Sequence, residues 1–208
     1  MSLIRKSLTS TREHYEGRHR FEHWYRDNQV YFITSTVRDH FPAFAREQAK
    51  RIFWERFEQY AHGFNFTPWV VSLMNNHDHT LGYLKYGKDL PRFMQRLHGS
   101  VAKLVNDQLE ARVVPFWTES GKQNYFDGCL RDVLQLRRAY RYTYFQCQRH
   151  NLCADPTNYP HTRVYLDAES AVRFAVEHNA LLENVPYARY DKWKTKKGRD
   201  YSSRTHAG

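Results

Sequence analysis

Stretches dense in β-branched and aromatic residues alternate along this chain with stretches in which apolar residues recur every third or fourth position, and that alternation predicts its elements. Residues 30–37 (VYFITSTV) are dense in β-branched and aromatic side chains and predict a first strand. Beyond Pro42, Ala45, Ala49, Ile52, Phe53, Phe57 and Tyr60 fall at helical spacing, predicting an amphipathic helix that ends near Gly63. Residues 67–74 (TPWVVSLM) predict a second strand, Asn75-Asn76 a turn, and His77–Leu84 its antiparallel partner. A second helix is expected from Asp89 or Leu90 to Glu110, with Asp89 as N-cap before Leu90-Pro91. A short strand at 124–126 and a long helix over 132–151 complete the order βαββαβα. That order predicts an α+β ferredoxin-like sandwich, an antiparallel sheet with helices on one face. An additional helix is expected between Leu166 and Glu183, with Ala171, Phe174, Ala175, His178 and Leu182 along one side.

The two ends lack this periodicity, which divides the chain into a polar N-terminal extension (1–29), a core domain (30–165), the additional helix (166–186) and a basic C-terminal tail (187–208). The tail holds Arg189, Lys192, Lys194, Lys196, Lys197, Arg199 and Arg204 against Asp191 and Asp200, half of the net charge of +10. Tyr187, Tyr190, Trp193 and Tyr201 are set among these cations, a pattern that suits either a sugar-phosphate backbone or a solvated end.

Composition narrows the class. With 41% hydrophobic residues in 208, the chain has enough apolar surface for one core, so it is not wholly disordered. No run of 18 apolar residues and no signal-like start is present, so a soluble, cytoplasmic protein with no membrane partner is expected. Cys129, Cys147 and Cys153 show neither a full disulfide framework nor a CxxC spacing for zinc. The 32 Lys and Arg against 22 Asp and Glu, with 13 Phe, 15 Tyr and 5 Trp, favour nucleic acid, where cations neutralise phosphates and rings stack on bases.

Candidate chemistry starts at His77-Asp78-His79. On a strand, positions i and i+2 share a face, so the two imidazoles reach one ion while Asp78 points away; a surface coincidence among 12 His is the alternative. On the helix from Asp132, Tyr142 and Gln146 are one turn apart, able to present a nucleophile beside a neutral ligand, or simply to pack into the core.

Taken together these segments resemble the HUH-type single-tyrosine transposases of insertion sequences, most closely the REP-associated tyrosine transposases. Tyr31-Phe32-Ile33-Thr34 is similar to the family's opening strand, Met74-Asn75-Asn76-His77-Asp78-His79 to its paired-histidine segment, and Trp117 with Tyr125-Phe126-Asp127 to its tryptophan segment with a longer insertion. Asp155-Pro156-Thr157-Asn158-Tyr159-Pro160 fixes the register of the last motif, in which Tyr142 stands at the nucleophile position and Gln146 at the amide position. The resemblance implies a domain over 30–165 in which His77, His79 and Gln146 hold Mg²⁺ or Mn²⁺. It further implies that Tyr142 cleaves and rejoins single-stranded or hairpin DNA through a 5′-phosphotyrosine, as a monomer or homodimer. Lys103, Arg137, Arg138, Arg141 and the tail residues Lys192, Lys194, Lys196 and Lys197 are the expected DNA contacts, with salt bridges from Arg137, Arg138 or Arg141 to Asp132 or Glu119 as the structural alternative.

Departures from the pattern are Asp78, where the family has a bulky apolar residue, and Cys147, His150 and Asn151 in place of the family's Pro and Ala-Gly. A buried Asp78 needs a donor or a cation. The alternatives to strand transfer are a non-catalytic module of the same fold that recognises structured DNA, and an RNA-binding sheet domain. Convergence of His77, His79, Tyr142 and Gln146 separates the enzyme from the RNA-binding alternative.

Overall fold

The computed structural model describes residues 26–119 and 124–183. Strands β1 (Gln29–Thr36), β2 (Phe66–Leu73), β3 (His77–Leu84), β4 (Phe126–Cys129) and β5 (Thr162–Val164) form one sheet in the order β4-β1-β3-β2-β5. Every pairing in it is antiparallel. Helices are α1 (Glu47–Gly63), α2 (Leu90–Asn106), α3 (Val133–Tyr144), a short α4 (Gln146–Arg149) and α5 (Ala168–Glu177). The β4-β1-β3-β2 order with α1 and α2 as crossovers is the expected ferredoxin-like arrangement, extended at one edge by β5.

One clause of the expectation is corrected: helices cover both faces of the sheet. Tyr31 and Ile33 of β1 join Val71, Leu73 and Leu84 in a core against α1 and α2, where Phe53 stacks on Phe57 and Phe93 meets Phe57 edge-on. Val30, Val70 and Leu81 enter a second core with Val133 and Leu136 of α3 and Ala171, Val172 and Ala175 of α5. The central strands therefore carry apolar residues at both parities, and each face needs its own cover. A register shift between Pro68 and Val70 sends Trp69 and Val70 to the same side, into the second core. Gly82, paired with Pro68, lies where a Cβ would be 2.5 Å from Phe66 Cζ and 2.6 Å from the Thr67 carbonyl oxygen.

Several boundaries also differ from expectation. The expected helix over 132–151 breaks at Phe145 (φ −91°, ψ 12°), giving α3 and α4. The fourth strand starts at Phe126 rather than 124. Helix α2 stops at Asn106, whose side chain accepts from the Val113 N–H and donates to the Val113 carbonyl, folding the chain back. Asp89 occupies the N-cap of α2 but makes no side-chain cap bond; the capping aspartates are Asp132, accepting from Gln135 N–H at 2.8 Å, and Asp167, accepting from Glu169 and Ser170 N–H. The chain after α5 returns to the sheet, with Val30 N–H donating to Ala180 O and Leu182 N–H to Leu130 O. Among the described residues no helix is long and apolar enough to cross a membrane. The expected contacts Lys192, Lys194, Lys196 and Lys197 lie outside the described residues.

Candidate metal and nucleophile site

The alternation of β3 turns His77 and His79 toward α3, with Leu81, and turns Asp78 and Thr80 toward α1 and α2. The two imidazole centroids are 5.0 Å apart and both rings are buried. Each is held through Nδ1. Thr34, directly across on β1, places its hydroxyl 2.8 Å from His79 Nδ1. Asn76 donates its amide N–H to the His40 carbonyl, so its Oδ1 is the acceptor facing His77 Nδ1 at 2.6 Å. That bond makes Nδ1 the protonated nitrogen of His77 and leaves Nε2 with a lone pair. Burial lowers the His77 pKa to about 4, with the charges of His150 and His40 adding to the effect. Burial lowers that of His79 to about 3, helped by His77, His150 and Arg149. Both rings are therefore neutral donors at pH 7.

Helix α3 crosses this face and brings Tyr142 to the pair, its ring centroid 5.0 Å from that of His79 and 6.0 Å from that of Phe32. Tyr142 is 38% exposed, so part of its side chain is open to a substrate. The neighbouring tyrosines are occupied elsewhere. Tyr140 packs in the second core and donates to the Leu166 carbonyl at 2.8 Å, and burial raises its pKa to about 12. Tyr144 sets its ring edge-on to Phe145, on the opposite side of the helix from Tyr142.

At the break after α3, the buried Gln146 side chain donates from Nε2 to the Tyr142 carbonyl at 3.0 Å, tying amide and tyrosine together. Burial of Cys147 against Met74 and Tyr159 anchors α4 to the end of β2. The turn then delivers two residues that sequence reasoning did not assign to the site. The His150 ring lies 4.6 Å from that of His77, and the Arg149 guanidinium lies 4.6 Å from the centre of the Tyr142 ring. Their spacing was a usable signal: 142, 146, 149 and 150 recur at one-turn intervals on a single helical face.

Among the described residues no group of three or more His, Cys, Asp or Glu is disposed to hold a metal ion. The donor set here is two neutral imidazoles with Nδ1 engaged, plus an amide. That mixture of nitrogen and neutral oxygen donors fits a divalent cation that keeps open positions for substrate oxygens.

Asp78 is fully buried on the opposite face, where Thr80 donates to Oδ2 at 3.3 Å and Ser35, its partner across the β1–β3 pair, bonds to the same carboxyl. Ser35 also meets His98 Nε2 at 2.9 Å. The donors that a buried aspartate requires are thus present, and burial still raises its pKa to about 7.

The expected DNA contacts divide. Lys103 lies on α2, on the other side of the sheet from the histidines, and pairs with Asp107 at 3.1 Å. Arg137 makes a two-point ion pair with Glu169 of α5, a different partner from those anticipated, and so joins α3 to α5. Arg138 and Arg141 are exposed on α3, Arg141 lying over the Phe145 ring.

No protein-family model matches this chain, and no curated protein matches it in sequence. Among solved structures, a REP-associated tyrosine transposase bound to a REP hairpin aligns with a TM-score of 0.59 at 13% identity, covering 74% of this chain and 88% of that one. A candidate transposase from Deinococcus radiodurans R1 aligns over 63% of this chain and 96% of that one at 15% identity, with a TM-score of 0.40 that carries no weight here. The first likeness establishes that this chain has a tyrosine-transposase fold.

Proposed function

We propose that the protein is a metal-dependent DNA strand transferase, a single-tyrosine transposase of the REP-associated kind, acting on single-stranded or hairpin DNA. The observation that carries this reading is the approach of Tyr142, 38% exposed, to the buried His77–His79 pair on one sheet face. In a fold that need only bury a tyrosine-rich helix, Tyr142 has no reason to stay exposed beside two neutral imidazoles.

His77 and His79 would hold Mg²⁺ or Mn²⁺ through Nε2, and Gln146 through Oε1, since its Nε2 is engaged by the Tyr142 carbonyl. Bound there, the cation supplies Lewis acidity to the phosphodiester. Thr34 and Asn76 fix the imidazole orientations, and the Gln146 bond to its carbonyl fixes the position of Tyr142 on the turn. The Tyr142 oxygen attacks phosphorus and loses its proton; the bond to the 3′ oxygen breaks, and that oxygen leaves as a hydroxyl after taking up a proton. The product is a 5′-phosphotyrosine and a free 3′-hydroxyl. Because one phosphodiester replaces another, the reverse attack rejoins the strand without a nucleotide cofactor.

The exposed Arg138 and Arg141 on α3 suit a strand lying along that helix toward Tyr142. One chain carries His77, His79, Tyr142 and Gln146 together, so the site requires no second copy. The non-cutting alternative drew on Asp78, whose carboxyl is turned away from the histidines and met by Thr80 and Ser35, so that residue does not favour it.

The test incubates the protein with Mn²⁺ and a panel of hairpin oligonucleotides with single-stranded flanks, followed by a denaturing gel. A covalent protein–DNA band that EDTA abolishes and that Tyr142→Phe and His79→Ala lack is expected. Hairpin binding with no such band would move the assignment to the non-cutting module.

A further inference from the structure

Arg149 is the last residue of α4, exposed, and its guanidinium carbon sits 4.6 Å from the centre of the Tyr142 ring. Three arginines that pack on the sheet or its helices are paired with carboxylates: Arg137 with Glu169, Arg163 with Glu58 and Arg131 with Glu183. Arg149 makes no ion pair among the described residues. A cation–π contact of this kind uses none of the guanidinium's N–H donors, which leaves the fork that matches two oxygens of a phosphate. The position is fixed by the chain around it. Arg149 N–H donates to Phe145 O at 3.2 Å, His150 N–H to Gln146 O at 3.0 Å, and Cys147 is wholly buried two residues earlier. A left-handed Asn151 (φ 54°) then turns the chain away. The result is an uncompensated, two-pronged anion donor laid against the tyrosine of the site, next to the histidine pair.

We infer that Arg149 grips the non-bridging oxygens of the phosphate that Tyr142 attacks, holding phosphorus within reach of the phenol oxygen. This rests on the strand-transfer reading above, and it gives the site a phosphate-binding residue beyond those expected from sequence. Arg149 is the catalytic arginine in this account because it touches the reacting group. A role confined to holding the Tyr142 ring predicts different measurements.

The experiment has two arms on the full chain, comparing wild type, Arg149→Gln and Arg149→Lys, with Tyr142→Phe as the control for the underlying reaction. In the first, the same hairpin panel is titrated in EDTA at several salt concentrations. Arg149→Gln is expected to weaken binding and to reduce the slope of log K against log salt by about one, while Arg149→Lys keeps the slope. In the second, single-turnover adduct formation is measured with Mn²⁺, on the normal strand and on one whose cleaved phosphate, mapped from the released 3′-hydroxyl fragment, is a neutral methylphosphonate. On the normal strand Arg149→Gln is expected to slow adduct formation on the order of 10- to 100-fold, the worth of a charge-assisted hydrogen bond. On the methylphosphonate the two proteins converge. An unchanged salt slope together with an equal loss on both strands overturns the inference in favour of ring positioning, and leaves strand transfer standing. Absence of any wild-type adduct overturns strand transfer itself, and with it the inference, even where the salt slope still marks Arg149 as a phosphate contact.

Discussion

Asp78 and the histidines on either side of it are buried in opposite directions, and burial shifts their protonation with opposite consequences for stability. The pKa of Asp78 is raised to about 7, so the stability its neutral form contributes is fully present below the ordinary aspartate range and is lost as pH rises toward 7. Those of His77, His79 and His98 are lowered to about 4, 3 and 3, so their contribution is present above pH 6.5 and is lost as pH falls. Three groups outweigh one, and each contributes about 1.4 kcal/mol per pH unit while its two states differ. Urea titrations of the metal-free protein are expected to show stability falling from pH 7 to pH 5. The Asp78→Asn variant is expected to gain on wild type as pH rises from 5 to 8, and a pH-independent difference would show that Asp78 is ionised throughout. At this scale the sequence made the His77–His79 pairing legible, because strand parity alone puts both on one face. Ser35 as the donor to Asp78 was not, since it depends on the register between β1 and β3; Arg149 and His150 were legible only as a spacing, since the turn that presents them follows the break at Phe145.

Two positions decide how well the elements that carry the site are held. Asp132 caps α3 by accepting from Gln135 N–H, so Asp132→Ala is expected to cost about 1 kcal/mol in urea unfolding. The substitution leaves Tyr142 itself untouched. Gly82 sits under Phe66 at the register shift of β2, and the neighbour that a methyl group would meet at 2.6 Å is backbone, which cannot swing aside. Gly82→Ala is therefore expected to destabilise by about 2 kcal/mol or more, and a neutral result would mean that the bulge can relax. The first three strands were legible from their density of β-branched and aromatic residues and the Asn75-Asn76 turn, and the first two helices from their apolar spacing. The second covered face was hidden by polar residues at the start of β3: His77 and His79 occupy the same parity as Leu81, so that side reads as solvent-facing until α3 is placed on it. The break at Phe145 left no Pro or Gly to mark it; what marks it in the structure is the Gln146 side chain on the Tyr142 carbonyl.

The whole molecule is a basic body in which two apolar cores clamp one sheet, and the candidate site opens at the edge of the second core. With a net charge of +10, hairpin affinity is expected to fall steeply with salt. Removal of residues 187–208, which carry half of that charge, is expected to weaken hairpin binding and flatten its salt dependence while leaving the adduct rate at saturating DNA unchanged. A lower saturating rate would place the tail in the chemistry rather than in binding. The claim that organises all of this is that one tyrosine of the three on α3 attacks DNA, and it is tested most directly by trapping the Mn²⁺-dependent adduct, digesting it with trypsin and nuclease, and sequencing the modified peptide by mass spectrometry. Cleavage after Arg141 and Arg149 gives a peptide with Tyr142 and Tyr144 in it, and fragmentation separates the two. A nucleotide phosphate on Tyr142 is expected; the same mass on Tyr140 or Tyr144, or on no tyrosine of this helix, would show that Tyr142 is not the nucleophile.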